Sequence, residues 1–325
     1  GSASSPKNVT ADVTTDLVTF TSYSGALASD ASTAESNETD PNNKVDWWDN
    51  IWYSSGAQTP TDNTKWWSTN GGTGLNPSDF TNSAHKFLVQ SGDTYTATGD
   101  WTVAGEVEVD GALVTGANTV TMAGKTDIDG TLTISNGGVY DANGEFDATG
   151  GTIDQDGTSR LQLAGTVTSL GTLDATAGTV EYDKAGTQTI LSAHTYYDLE
   201  IDGSNSKSTD GNTTVNGDVT ITAGTLDIGT GNDNLTIGGN FSNSGTFTTS
   251  GETVTFDGST ENTSSLISDA TVDLIINKSG TGGITFGGNS SFDNVTVTDG
   301  YLDIGAYTFT ADELITISAA GTLRI

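Results

Sequence analysis

The sequence predicts an all-β fold, a parallel and right-handed β-solenoid with about 20–21 residues per turn. Three observations point there. Among 325 residues only 33% are hydrophobic, whereas Gly numbers 42 and Ser plus Thr number 90, a composition short of helix formers and rich in residues that suit strands and tight turns. Three- to five-residue runs of alternating polarity recur, each bounded by Gly, Asn or Asp, and alternation over so short a run marks a half-buried strand. Single apolar residues also return at a fixed interval. Leu132, Ile153 and Leu173 are 21 and 20 residues apart, and Leu226 to Phe247 and Leu302 to Leu323 are 21 apart. A sandwich pairs its strands as sequential hairpins. A solenoid pairs each residue with one a turn later, and the recurrence favours the solenoid.

Taken along the chain, residues 1–27 hold an N-terminal strand in which Val9, Ala11, Val13 and Leu17 alternate with polar residues, Phe20 following shortly after. Such a segment calls for one buried face. Residues 28–44 are rich in Ser, Thr, Asp and Glu and read as a linker. Residues 45–95 carry Trp47, Trp48, Trp52, Trp66 and Trp67, an aromatic cap on the first coil or a platform on which sugars would stack. Residues 96–325 form the coil. A longer repeat runs within them: Gly171–Asp183 matches Gly245–Asp257 at an offset of 74, Tyr197–Asp202 matches Val272–Asn277 at 75, and Gly224–Gly229 matches Gly300–Gly305 at 76.

These phrases, with Asn234–Phe247 and the opening stretch Phe87–Val103, resemble the β-helix repeat regions of large secreted prokaryotic surface proteins and adhesins. The resemblance covers about residues 80–325. It implies a β-helix with a structural or adhesive role at the cell surface and no active site.

Charge and composition exclude several classes. With 42 acidic and 10 basic residues the net charge is −32, so a phosphate-tracking nucleic-acid surface is excluded and an anionic membrane surface repels the chain. No apolar run approaches the length of a membrane span. The absence of Cys removes disulfides, thiolate metal sites and thiol nucleophiles. No hydrolase, metalloprotease or nucleotide-binding motif is present.

The remaining candidates are weak individually. Gly229–Ile237 has the spacing of a calcium-binding β-roll turn, which nominates Asp233 with Asn232 as ligands of a structural calcium ion, the one cofactor the sequence leaves room for. A β-roll shares each ion between adjacent copies, and here a single copy stands. Glu106/Glu108, Asp127/Asp129 and Asp154/Asp156 are paired carboxylates at i and i+2, on one side of a strand. Arg160 beside Asp154 and Asp156 is the one constellation that a polysaccharide lyase or hydrolase would use. At the other end the chain stops inside a strand unit, with Leu323 and Ile325 on an open edge. The expectation is a non-enzymatic, extracellular structural protein. Its copies would join head to tail into a filament or layer by adding the N-terminal strand of one to the open C-terminal coil of the next. A glycan-binding adhesin fragment and a β-helix polysaccharide lyase or hydrolase are the alternatives.

Overall fold

The structure, a computed structural model, describes residues 51–229, 233–265 and 270–325, together with the backbone of two short strands, Leu17–Thr19 and Lys44–Asp46. These two pair antiparallel, Leu17 opposite Asp46. The main body is a parallel β-solenoid of about 12 coils. In chain order each early coil contributes three strands, as in Glu106–Val109, Ala112–Val114 and Thr119–Met122, and each strand pairs with its counterpart one coil on.

The register follows the apolar recurrence. Leu113, Leu132, Ile153 and Leu173 are successive ladder partners on the second face. Leu226 pairs with Phe247, and Leu302 with Leu323. Strand after strand, buried and half-buried residues alternate, as in Thr131–Ile134 and Thr152–Gln155. The core is therefore a set of single-file columns of Val, Ile, Leu, Phe and Tyr, while Thr, Asp, Glu and Lys occupy the outer side.

Two devices turn the corners. At one, Gly105, Gly124, Gly144 and Gly165 stack; a Cβ on Gly124 would lie 2.2 Å from the Gly105 carbonyl oxygen, and one on Gly144 would lie 2.1 Å from that of Gly124. Backbones approach too closely there for any side chain. At another, Asx side chains reach one coil onward. Asp198 Oδ1 accepts from Asp218 N–H at 2.7 Å, Asp218 Oδ1 from Asn240 N–H at 2.7 Å, and Asn240 Oδ1 from Thr263 N–H at 2.9 Å. Corner amides that no strand can pair are satisfied in this way.

The ladders are interrupted between Val167 and Gln188. The first- and second-face ladders stop at Val167–Ser169 and Thr172–Leu173, and a new first-face ladder starts at Gln188–Ile190. The third face continues across through Thr179–Tyr182 and Asp198–Ile201. Buried polar side chains replace the missing ladder bonds. Gln188 Nε2 donates to the Leu163 and Gly165 carbonyls, and Lys207, fully buried, donates to those of Lys184, Gly186 and Ser204. Gln188 and Lys207 occupy the same inward column as Leu226 and Phe247.

Two features differ from the sequence reading. Parallel pairing starts at Ile51–Tyr53, which joins Lys86–Val89, so coil strands run through the segment read as a cap. The cap proper is the loop between them, whose Trp66 enters the core. The repeat of 74–76 residues is also not a whole number of coils. Thr179–Tyr182 lies on the third face, but its counterpart Thr253–Phe256 lies on the ladder that joins Leu235–Ile237 to Asp273–Asn277, one face away. Either face accepts the same phrase, because each asks only for alternating polarity.

Ile153→Ala should lower unfolding free energy by about 2–5 kcal/mol, while Thr133→Ala on the outer side should change it by less than about 0.5 kcal/mol. Denaturant titration followed by circular dichroism measures both. Equal effects would mean that the columns are not the core.

Candidate functional site

A cluster of charged side chains lies on the outer side of the third face. Asp141, Gln162, Glu181 and Glu200 are successive partners in one outward column, with Arg160 two residues before Gln162 on the same strand. Parallel stacking alone brings these side chains together. Arg160 Nη1 lies 2.6 Å from Glu181 Oε2 and 2.6 Å from Glu200 Oε2. Gln162 Nε2 also donates to Glu181 at 2.9 Å, and Thr222 Oγ1 donates to Glu200 Oε1 at 2.9 Å. Glu181 is 4% exposed, so one cation holds two carboxylates, one of them sheltered from water. Burial, followed by the neighbouring charges of Glu181, Asp141 and Asp202, pushes Asp183 up to about 6.

The constellation expected of a lyase is not formed. Asp154 lies on the second face, Arg160 opens the third-face strand Arg160–Leu163, and the ion pairs of Arg160 among the described residues go to Glu181 and Glu200. The paired carboxylates do point outward, but two of the pairs have cations. Lys86 reaches both Glu106, at 3.0 Å, and Glu108, and Lys125 reaches Asp127 at 2.9 Å.

Trp47 and Trp48 lie outside the described residues. Trp52 and Trp66 are 3% and 0% exposed, and Trp67 is half-buried. Trp66 stacks on Trp101 at 5.8 Å and packs edge-on to Phe87, and its Nε1 donates to the Pro60 carbonyl. Trp52 meets His85 edge-on at 5.4 Å. A sugar platform needs open faces, so Trp52 and Trp66 serve as the plug of the coil and not as the platform.

Of the nominated metal ligands, Asn232 lies outside the described residues. Asp233 is buried and accepts from Thr209 Oγ1 at 3.0 Å. Among the described residues no group of three or more His, Cys, Asp and Glu side chains is placed to hold a metal ion. Of the nominated assembly strand, Val9, Ala11, Val13 and Phe20 lie outside the described residues. Leu17 belongs to the short strand paired with Lys44–Asp46, a two-stranded sheet separate from the coil ladders.

At the far end, Phe309–Arg324 pairs along one edge with Ser290–Asp303. Its inward positions Ile315 and Ile317 are 41% and 40% exposed, Leu314 is 59% exposed and Ile325 is 94% exposed. Leu323 packs against the core, and the Arg324 guanidinium lies 3.3 Å over the Tyr301 ring. A polar groove of about 250 Å³, lined by Thr166, Lys184, Gln188 and Ser208 among others, marks the ladder interruption.

Sequence reasoning missed the buried cations. Lys278, like Lys207, is fully buried; its Nζ donates to the Gly238 carbonyl at 2.6 Å and to Asn262 Oδ1 at 2.5 Å, and burial pushes its ammonium down to about 8. No signal short of the full coil register marks a lysine as inward. Among the described residues no helix is long and apolar enough to cross a membrane. No protein-family model matches the chain, and no curated protein and no solved structure matches it.

The Asp183 shift carries a pH dependence. Its pKa is higher folded than unfolded, so its favourable contribution is complete below about pH 4 and is lost as pH rises through about 6. Asp183→Asn should raise Tm by about 2 °C at pH 8, a modest figure because the group is half exposed, and the gain should vanish near pH 4. Calorimetry across that range measures it. A gain independent of pH would contradict the assignment.

Proposed function

We propose that the protein is an extracellular structural rod, the subunit of a self-assembling filament or surface layer, and that it associates through the edge strand Phe309–Arg324 with β-strand from a second copy. The observation that carries this reading is the strand Phe309–Arg324, which is 16 residues long, pairs along one edge among the described residues, and leaves Ile315 and Ile317 half uncovered. A long, flat edge with apolar residues is a template for another strand. Each added backbone bond contributes about 1 kcal/mol, and each covered Ile about 2 kcal/mol. Association of two bodies costs several kcal/mol, so a long edge is needed and a short one would not suffice. The alternating segment holding Val9, Ala11 and Val13 is the natural donor strand, since it has the pattern of a strand with one buried face.

The cell-surface assignment rests on composition, the absence of Cys and the resemblance to secreted surface repeats. Burial of Trp52 and Trp66 counts against a glycan platform. The engagement of Arg160 by Glu181 and Glu200 counts against a lyase.

Sedimentation and negative-stain microscopy of the full chain test the reading. Concentration-dependent end-to-end particles are expected. The double substitution Ile315→Lys with Ile317→Lys should abolish them with little change in Tm, and deletion of residues 1–16 should do the same if that segment is the donor. A chain that stays monomeric at high concentration, or substituted ends that still associate, would overturn it.

A further inference from the structure

The corner between the first and second strands of the later coils holds an arrangement that its own side chains leave incomplete. Leu235 pairs with Val254 in register, and both side chains point inward. Two residues earlier on each coil the same parity places Asp233 and Glu252 inside, one above the other, about 4.8 Å apart along the backbone. The structure bears this out in their burial: Asp233 is 8% exposed and Glu252 is 2% exposed. Thr209, from the coil before, joins them from the end of its first-face strand, 6% exposed, its Oγ1 3.0 Å from Asp233 Oδ2. Glu252 Oε2 accepts from the Ser250 N–H, whereas Glu252 Oε1 is buried with no hydrogen-bond partner. Neither carboxylate has an ion pair among the described residues, although Lys86, Lys125 and Arg160 each pair with nearby acids elsewhere.

A buried carboxylate oxygen with no partner, beside a second buried carboxylate-bearing residue, is unfavourable as it stands. A bound cation would supply the missing partner. We propose that Asp233, Glu252 and Thr209 form a site for one hard divalent cation, calcium by its ligand chemistry. The donors are all oxygen, and they come from three successive coils. Calcium accepts six to eight oxygen ligands in loose geometry, whereas magnesium demands a tight octahedron and retains its waters. The single Gly-rich turn at Gly229–Ile237 therefore does not need a second copy of itself. The next coil supplies Glu252 in its place, 19 residues on. At a net charge of −32 the ion would also relieve repulsion along the rod.

Calorimetric titration of the chelator-stripped, full-length protein with CaCl₂ at fixed ionic strength tests the site, with Tm measured alongside. The expected result is one saturable equivalent per chain and a rise in Tm that an equal ionic strength of NaCl does not reproduce. Both should be lost in E252Q and in D233N, variants of nearly unchanged shape, and both should be retained in D154N on the outer surface. Calcium binding of equal strength in E252Q and D233N would show general attraction to an acidic surface and overturn the proposal. No calcium effect on the unsubstituted protein would also overturn it.

Discussion

Everything in this molecule depends on coil-to-coil registry. Each strand satisfies its backbone by pairing with the strand about 20 residues before and after it, so every coil must return to the same position at the same height. That requirement explains the composition. Corners with no room for a Cβ demand the Gly105, Gly124, Gly144 and Gly165 column. Corner amides demand acceptors one coil away, which Asp198, Asp218 and Asn240 provide. One inward residue in two is enough to fill a narrow core, which is why 33% hydrophobic content suffices.

Where registry is broken, chemistry changes. At the interruption near Val167–Gln188 the ladder bonds are missing on two faces, and Gln188 and Lys207 fill core positions that later coils give to Leu226 and Phe247. Where registry holds, the corner of Asp233 and Glu252 nonetheless buries two acidic residues. Outside the third face, the same stacking lines up Asp141, Glu181 and Glu200, and Arg160 and Gln162 hold that column together. Charge repulsion in a rod this acidic is thus managed locally, and Asp183, which has no ion pair among the described residues, is raised by burial and then by the charges of Glu181, Asp141 and Asp202.

The architecture was legible in the sequence because the inward columns are written at a nearly constant interval: Leu132, Ile153 and Leu173 are ladder partners as their spacing predicts. The boundary of the coil was less legible. Ile51–Tyr53 is an ordinary strand, but it lies among tryptophans and is separated from its partner Lys86–Val89 by a long loop that carries Trp66 into the core. The 74–76-residue repeat is plain in the letters yet places its copies on different faces, since strands of one pattern fit any of them. Glu252 escaped notice because it matches no motif; only the register set by Leu235 and Val254 places it over Asp233. Lys207 and Lys278 were hidden for the same reason, since a lysine in an alternating strand reads as outward until the parity of its neighbours is known.

The measurement that tests the account most directly is the distance between outward positions of one column. Thr121, Asp141, Gln162, Glu181, Glu200, Thr220 and Ser242 are successive partners along the third face. The chain has no Cys, so cysteines placed pairwise at Thr121 and at Gln162, Glu200 or Ser242 can be spin-labelled without background. Registry predicts that pulsed electron resonance distances grow by about 5 Å per coil, from about 10 Å for Gln162 to about 29 Å for Ser242. Distances that do not increase in order along the column would contradict a parallel solenoid and everything built on it.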